Sequence, residues 1–359
     1  SDNAFFICFY TWFNMAPLAT TIAKQLGWLT QKDLGLLAIC NVALTIPARV
    51  FVGMAMDRLG PRRVFSVLMI TMSVPVFFFA FGNSLAQLLV SRLLLGCIGA
   101  GFVVGVHMTA LWFPPKDIGL AGGIYAGWGN FGAAAAAMTL PTLVFDVFGG
   151  ENGWRYAIAV NGLVLVLYGI LYWFAVTDGP VGAVHRKPRQ VAALEVSSRA
   201  DMVKLLFLTV PVIGALAILV WKVQKMGYMG QTAGNVAYLL IAAGVMYQLV
   251  NVLKVNLPIL KKGVPKDDRY HFNSVMALNL TYVANFGAIL AVDSMLPAFF
   301  EAIYQLSPAH AGLIASSFAV TNLFSRPLGG LLSDRMKNRK RVMTASMLSI
   351  AVSFFAMGF

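Results

Sequence analysis

Eleven long apolar runs constrain this chain more than any other feature of its sequence. Most of them have roughly the 17–25 residues that a helix needs to cross a bilayer. With 59% hydrophobic and 11% charged residues, the chain has more apolar surface than a soluble fold of 359 residues could bury. The sequence therefore predicts an all-α, polytopic membrane protein. The predicted spans are 4–23, 34–56, 64–82, 87–113, 119–147, 155–177, 206–222, 236–253, 273–300, 310–333 and 342–359.

Basic residues lie mainly in alternate connections between these runs. We expect the protein to lie in the plasma membrane. Because loops rich in Lys and Arg stay on the cytoplasmic side, we expect these connections to face the cytoplasm. The formal net charge of +13 arises largely from such loops, so it indicates membrane topology and no nucleic-acid partner. We expect a monomer surrounded by membrane lipid. The basic connections are 57–63, 114–118, 178–205, 254–269 and 334–341.

A charged motif occurs twice with every spacing kept. Two copies of one helical unit, each ending at the same face, predict a transporter built from two parallel, pseudo-symmetric bundles. An aspartate beside clustered cations can latch neighbouring helices in one conformational state, although the same charges could simply set topology. The first copy contains Arg49, Gly53, Asp57, Arg58, Arg62 and Arg63, and the second contains Arg326, Gly330, Asp334, Arg335, Arg339 and Lys340.

The repeat and the runs divide the chain into four parts. Residues 1–177 form a six-helix bundle, 178–205 a cytoplasmic linker, 206–270 an extra hydrophobic hairpin with a basic loop, and 271–359 the start of a second bundle. Whether the hairpin crosses the membrane or forms a shallow loop stays open. Both ends of the chain lie in or beside apolar runs, so we expect a piece of a longer protein.

Arg49 and Arg326 lie inside apolar runs, each eight residues before the aspartate of its motif. Eight residues rise about 12 Å, and half the hydrocarbon core is about 15 Å, so both arginines lie near the midplane. A charge at that depth needs a functional reason. Repeat symmetry favours two guanidinium groups facing one cavity and clamping a small anion. The alternative is a structural salt bridge between Arg326 and Asp293, which leaves Arg49 unexplained.

Other groups reach the same depth. Asn130 and Tyr282 are polar, while Phe102 and Phe286 could form flat apolar walls beside the arginines. Taken singly, each aromatic residue is more typical of packing. The fifth run is rich in glycine, including Gly127 and Gly129, and small residues let helices approach closely or slide.

The charged motif G-x3-D-R-x3-R-[RK] resembles the loop signature of the major facilitator superfamily, and "RLLLGCIGAG" from Arg92 resembles its fourth-helix motif. Within that superfamily, "AGGIYAGWGNFGAAAAAMTLP" (121–141) and "SSFAVTNLFSRPLGGLLSDR" (316–335) are similar to the nitrate/nitrite porter family, of the cyanobacterial and bacterial nitrate permease type. The resemblance implies the superfamily fold, truncated at its C-terminus and with the hairpin added. It implies that Arg49 and Arg326 grip nitrate. The other binding residues it implies are Asn130, Tyr282, Phe102, Phe286 and Phe9.

The sequence thus predicts a secondary transporter of nitrate and nitrite that works by alternating access, with a porter for phosphate or an organic anion as the alternative. An enzyme is disfavoured, because no catalytic constellation, metal-ligand spacing or nucleotide loop is present, and we expect no cofactor or metal. Anion uptake against an inside-negative potential favours proton symport or exchange for nitrite. Asp293 and His107 are the candidate coupling residues.

Overall fold

The computed structural model describes residues 1–180, 193–265 and 269–356. Within these ranges the chain folds into helical segments at all of the predicted positions, some with an internal break. The segments are α1 (Asp2–Leu26), α2 (Gln31–Leu59), α3 (Pro61–Ala80), α4 (Leu85–Trp112), α5 (Ile118–Phe148), α6 (Gly153–Ala175), α7 (Arg199–Lys225), α8 (Gln231–Lys262), α9 (Phe272–Tyr304), α10 (Pro308–Met336) and α11 (Arg339–Ala356).

The prediction of an all-helical, polytopic membrane protein is confirmed. In the described part of the chain, 9 helices are long and apolar enough to cross a membrane, namely α1 to α9. The helices α10 and α11 lie where spans were predicted, but their mean hydropathy is lower. Polar residues explain this: α10 contains Asn322 and Arg326 within its apolar stretch, and α11 begins with three basic residues.

The added hairpin is longer than the sequence indicated. α7 has 27 residues and α8 has 32, lengths that suit full crossings. α7 begins at Arg199, inside the predicted linker, because the Ser198 hydroxyl accepts a hydrogen bond (3.1 Å) from the amide of Asp201 and caps the helix. The basic stretch 185–190 of that linker lies outside the described residues, as does 266–268 of the following loop.

The hairpin contacts the first bundle mainly through α2. Val223 of α7 packs with Leu36 and Cys40 of α2. In the turn between α7 and α8, the Tyr228 hydroxyl donates a hydrogen bond to the carboxylate of Asp33. This bond raises the pKa of the Tyr228 hydroxyl, so the phenol stays protonated and the link persists at neutral pH.

α1 forms the centre of the first bundle. Its side chains Phe5, Phe9 and Trp12 are fully buried, and the helix packs along α5. The helix breaks at Phe13–Leu18, before and around Pro17. Close to the break, Trp12 and Asn41 exchange two hydrogen bonds between side chain and backbone (2.7 and 2.9 Å), which fixes α1 against α2.

The glycines of α5 bring α10 to within backbone contact. A Cβ atom at Gly123 would lie 2.5 Å from the carbonyl oxygen of Arg326, and one at Gly127 would lie 2.8 Å from that of Asn322. Gly129 and Gly132 make similarly close contacts with α1. α5 therefore holds α1 on one side and α10 on the other, and this packing sets the position of Arg326.

Candidate functional site

Arg49 of α2 lies where the two halves of the chain meet. Its Nη1 atom donates a hydrogen bond (2.9 Å) to the hydroxyl of Tyr282 on α9. Its Nε atom donates a longer bond (3.4 Å) to the carbonyl oxygen of Gly99 on α4. Its Nη2 atom is buried and has no hydrogen-bond partner. One N–H group of this guanidinium thus remains available to an acceptor.

Three aromatic rings surround this guanidinium. The Cζ atom of Arg49 lies 4.7 Å from the ring centroid of Phe286, 5.4 Å from Phe102 and 5.6 Å from Tyr282. The rings of Tyr282 and Phe286 are stacked 5.2 Å apart, and Phe102 stacks with both of them. Ring faces attract a cation and offer flat walls to a planar anion beside it. The structure thus brings together four of the predicted residues.

A distortion of α4 positions Arg49. Residues Gly96–Ala100 form a 3₁₀ turn, whose altered hydrogen bonding directs carbonyl oxygens toward α2. Gly96 accepts from the Thr45 hydroxyl (2.8 Å), and Gly99 accepts from Arg49 one turn further along α2. Gly99 has to be glycine, since a Cβ atom there would lie 2.8 Å from Thr45 and still closer to Trp12.

Arg326 of α10 is half-buried. Its Nε atom donates to the side-chain oxygen of Asn322 (3.1 Å), one turn earlier on the same helix. Tyr282 lies near Arg326, and its hydroxyl accepts the hydrogen bond from Arg49, so this one residue neighbours both arginines. Asn322 was not predicted, although an i, i+4 partner of a buried arginine could have been found from the spacing.

Asp293 lies near Arg326 but does not bind it. The two side chains interact electrostatically, yet no ion pair within 4.0 Å joins them. The Oδ2 atom of Asp293 is buried and has no hydrogen-bond partner. The structural salt bridge weighed above as the alternative is therefore not formed.

Two predicted residues lie deeper in the first bundle. Asn130 is 1% exposed; its amide nitrogen donates to the carbonyl of Ala126 (2.6 Å), and its side-chain oxygen is buried without a partner. Phe9 is fully buried, and its ring centroid lies 4.7 Å from that of Phe5. The α1 ring that reaches Phe102 is Phe5, at 5.6 Å, so the structure does not bring Phe9 to Arg49. Phe5 was missed because it lies one turn from Phe9 on the same face of α1.

The two motif copies behave differently at the basic end of the bundle. Asp334 accepts a hydrogen bond (2.9 Å) from the amide of Leu120 at the start of α5 and pairs with Arg339 (3.7 Å). Gly330 packs against the backbone of Gly119. In the first copy, Arg62 donates its amide to Asp178 (2.8 Å), while Asp57 makes no ion pair in the described part of the chain. Arg58, Arg63 and Arg335 are exposed, and a Cβ atom at Gly53 would meet open space.

The opposite end also joins the two halves. The Thr20 hydroxyl of α1 donates to the carboxylate of Glu301 near the end of α9. The halves are thus bridged at both ends and, through Arg49 and Tyr282, in the middle.

The profile of the Major Facilitator Superfamily matches residues 3–261 and 278–359. The "Nitrate/nitrite transporter NrtP" of Picosynechococcus sp. is 42% identical to this chain, covering 99% of the chain and 71% of the relative. The protein of the same name from Nostoc punctiforme is 43% identical, over 98% and 71%. The chain belongs to the nitrate/nitrite porter family of the major facilitator superfamily. A more distant relative is the "Probable nitrate/nitrite antiporter NarK1" of Thermus thermophilus, 25% identical over 95% of this chain and 61% of that protein.

Family membership confirms the predicted fold and resemblance. The relatives of this porter are named as transporters, in line with the expectation of a transporter rather than an enzyme. Among the described residues, no group of three His, Cys, Asp or Glu side chains is arranged to hold a metal ion. The roles of the individual site residues stay predictions.

A third arginine of this porter, Arg92, is fully buried in α4. Its Nη2 atom donates to the side-chain oxygen of Asn14 (2.9 Å), and its Cζ atom lies 3.7 Å from the ring centroid of Phe79. Since Asn14 lies in the break of α1, Arg92 holds the two parts of α1 in place. His107 lies half-buried on α4, one and a half turns beyond Phe102.

Proposed function

We propose that this protein is a secondary active transporter that moves nitrate and nitrite by alternating access around Arg49 and Arg326. One observation supports this above all: the buried, unpartnered Nη2 atom of Arg49 lies among three aromatic rings. Nitrate is planar and monovalent, so its edge suits a guanidinium fork and its faces suit Phe102 and Phe286. The relatives from Picosynechococcus sp. and Nostoc punctiforme are named as transporters of the same substrates.

We also propose how the protein lies in the membrane. The protein lies in the plasma membrane with its basic loops on the cytoplasmic side, where Asp334 contacts Leu120. The Thr20–Glu301 contact lies on the external side. Lipid surrounds a monomer. Because nitrate uptake against the membrane potential costs about 2.3 kcal/mol per 100 mV, transport requires either a co-transported proton or exchange for internal nitrite.

Counterflow in proteoliposomes tests the proposed substrate. Vesicles loaded with nitrate should take up labelled nitrate and nitrite, and external chlorate, a close analogue, should compete. Phosphate should not compete, since the midspan residues near Arg49 offer few further donors. Competition by phosphate or an organic anion, with none by nitrite, would favour the alternative porter.

A further inference from the structure

α9 contains a polar gap at Asp293. The Oδ2 atom of Asp293 and the hydroxyl of Ser294 are both buried without a hydrogen-bond partner. Pro297 lies four residues later and has no N–H group, so the Asp293 carbonyl cannot receive the usual helical hydrogen bond from that position. Three oxygen atoms in one turn of a membrane span therefore lack part of their normal hydrogen bonding. A carboxylate in such a setting is functional by default.

The charged groups that face α9 come from four helices. α7 contributes Lys204, whose ammonium donates to the side-chain oxygen of Asn273 at the start of α9 (2.7 Å). α10 contributes Arg326, which interacts electrostatically with Asp293. α2 contributes Arg49 through Tyr282, and its part Gln31–Ala43, which also contacts α9, contains Lys32 and Asp33, the latter held by Tyr228. α1 contributes Lys24, which lies near Glu301, two turns beyond Asp293. Among the described residues, Asp293 is the carboxylate placed beside the candidate anion site.

We propose that Asp293 binds the proton that this porter moves together with nitrate; the inference rests on the proposed function. In the outward-open state a hydronium ion transfers a proton to the Asp293 carboxylate, so that an O–H bond of hydronium breaks, an O–H bond to Asp293 forms and a water molecule is left behind. In the inward-open state that O–H bond breaks and the proton returns to cytoplasmic water. Arg326 is the nearby cation that the ionised carboxylate neutralises when the anion has left.

The charge of the site explains why the two ligands travel together. Without nitrate, two arginines and an ionised Asp293 give the site a net charge of +1. With nitrate bound and Asp293 protonated, the net charge is again +1. Nitrate without the proton would give zero and would place an anion beside a carboxylate. Protonation removes that repulsion, so each ligand favours binding of the other.

The test separates substrate exchange from proton movement in one preparation. The protein is reconstituted into proteoliposomes containing a pH-sensitive dye, and nitrate is added outside. The wild-type protein should acidify the lumen as nitrate enters. Asp293→Asn should keep nitrate counterflow within about threefold of the wild type but lose at least nine-tenths of the acidification. Asp146→Asn, the same chemical change at an exposed carboxylate of α5, is the matched control and should keep both activities.

Asp293→Glu covers the case in which the Asn variant does not fold. This variant keeps an ionisable carboxyl group and should still acidify the lumen. Its acidification rate should depend on external pH over a range that differs from that of the wild type. The inference is overturned if wild-type nitrate entry moves no protons, or if Asp293→Asn still acidifies the lumen. It is also overturned if His107→Gln abolishes acidification while Asp293→Asn does not. Absence of nitrate counterflow in the wild type would instead refute the proposed function.

Discussion

Arg49 donates two of its N–H groups to neighbours in different halves of the molecule, the carbonyl of Gly99 and the hydroxyl of Tyr282. This arrangement depends on the planar shape of the guanidinium group, because the two donors diverge while the third nitrogen stays free. A lysine at this position would supply the same charge but a single, compact donor group. Replacing Arg49 by lysine therefore distinguishes a site that needs the geometry of the guanidinium group from one that needs only its charge.

We predict that Arg49→Lys lowers nitrate counterflow at least tenfold while leaving expression and detergent stability close to the wild type. The Lys ammonium cannot reach Gly99 and Tyr282 together, and it has no planar face to pack against Phe102 and Phe286. Uptake kinetics in proteoliposomes give the measurement. Arg199→Lys, the same change at an exposed position at the start of α7, is the control and should be neutral. Near-normal nitrate affinity in the Lys variant would show that charge alone suffices.

Sequence reasoning placed Arg49, Tyr282, Phe102 and Phe286 at one depth, and the structure brings these four together. Depth follows from counting residues along a helix, so it was predictable. The choice between Phe5 and Phe9 was not, because residues four apart share a helix face and only the packing decides which ring reaches Phe102. The Gly99 carbonyl was also missed, because backbone groups leave no signal in the sequence.

At the scale of helices, α5 and α10 show how small residues set the geometry of the candidate site. The backbone of α10 touches Gly123 and Gly127 at the turn that contains Asn322 and Arg326. A change on α5 can therefore displace Arg326 without touching any predicted binding residue. Gly122 lies one residue away, and a Cβ atom there would meet open space.

Gly123→Ala should destabilise the protein by about 1–3 kcal/mol and raise the half-saturating nitrate concentration, because its methyl group would overlap the Arg326 carbonyl. Gly122→Ala is a matched control and should be neutral or slightly stabilising, since alanine favours helix and nothing blocks it. Thermal unfolding in detergent and nitrate counterflow measure the two effects. Equal behaviour of the two variants would contradict the backbone contact.

The hairpin α7–α8 is a separate element that packs on α2 through Val223 and Tyr228. Deleting residues 206–253 and joining the flanking segments should lower yield and stability more than it changes nitrate affinity, because neither helix contributes a predicted binding residue. Size-exclusion profiles and counterflow kinetics provide the comparison. A folded deletion variant with a large change in nitrate affinity would mean that the hairpin supports the site.

Element positions were largely predictable, because long apolar runs leave few alternatives to spanning helices. The errors have identifiable causes. The start of α7 was placed too late because polar residues follow the Ser198 cap, and composition there resembles a linker. The break in α1 and the 3₁₀ turn in α4 were not predicted, because tertiary contacts of Trp12, Asn14 and Thr45 stabilise them.

In the whole molecule, one hydrogen bond links the two halves at each end of the candidate site. At the basic end the link is the hydrogen bond from Leu120 to Asp334, and at the opposite end it is that from Thr20 to Glu301. Alternating access requires these links to break one at a time. Removing one of them should therefore shift the population toward the state open at that end.

Asp334→Ala should widen the distance between the halves at the basic end. Trp112 and Met336 are exposed positions in different halves. When both are replaced by cysteine and spin-labelled, pulsed electron paramagnetic resonance measures the distance between them. We expect Asp334→Ala to increase the share of long distances over that in the labelled protein that keeps Asp334. The control is Thr20→Val, which removes the opposite link and should not favour the longer distances. An unchanged distribution in Asp334→Ala would show that this carboxylate does not hold the halves together.

The carbonyl of Gly99 has a consequence for attempts to change which anion the protein prefers. A backbone oxygen is present whatever the side chain, so no substitution removes this acceptor, and the crowding around Gly99 excludes larger residues. Variation in that part of α4 would mostly yield misfolded protein. α9 differs, because it contributes Tyr282 and Phe286 through their side chains. Directed evolution toward a new anion therefore has its tolerant positions on α9, and a library should be placed there.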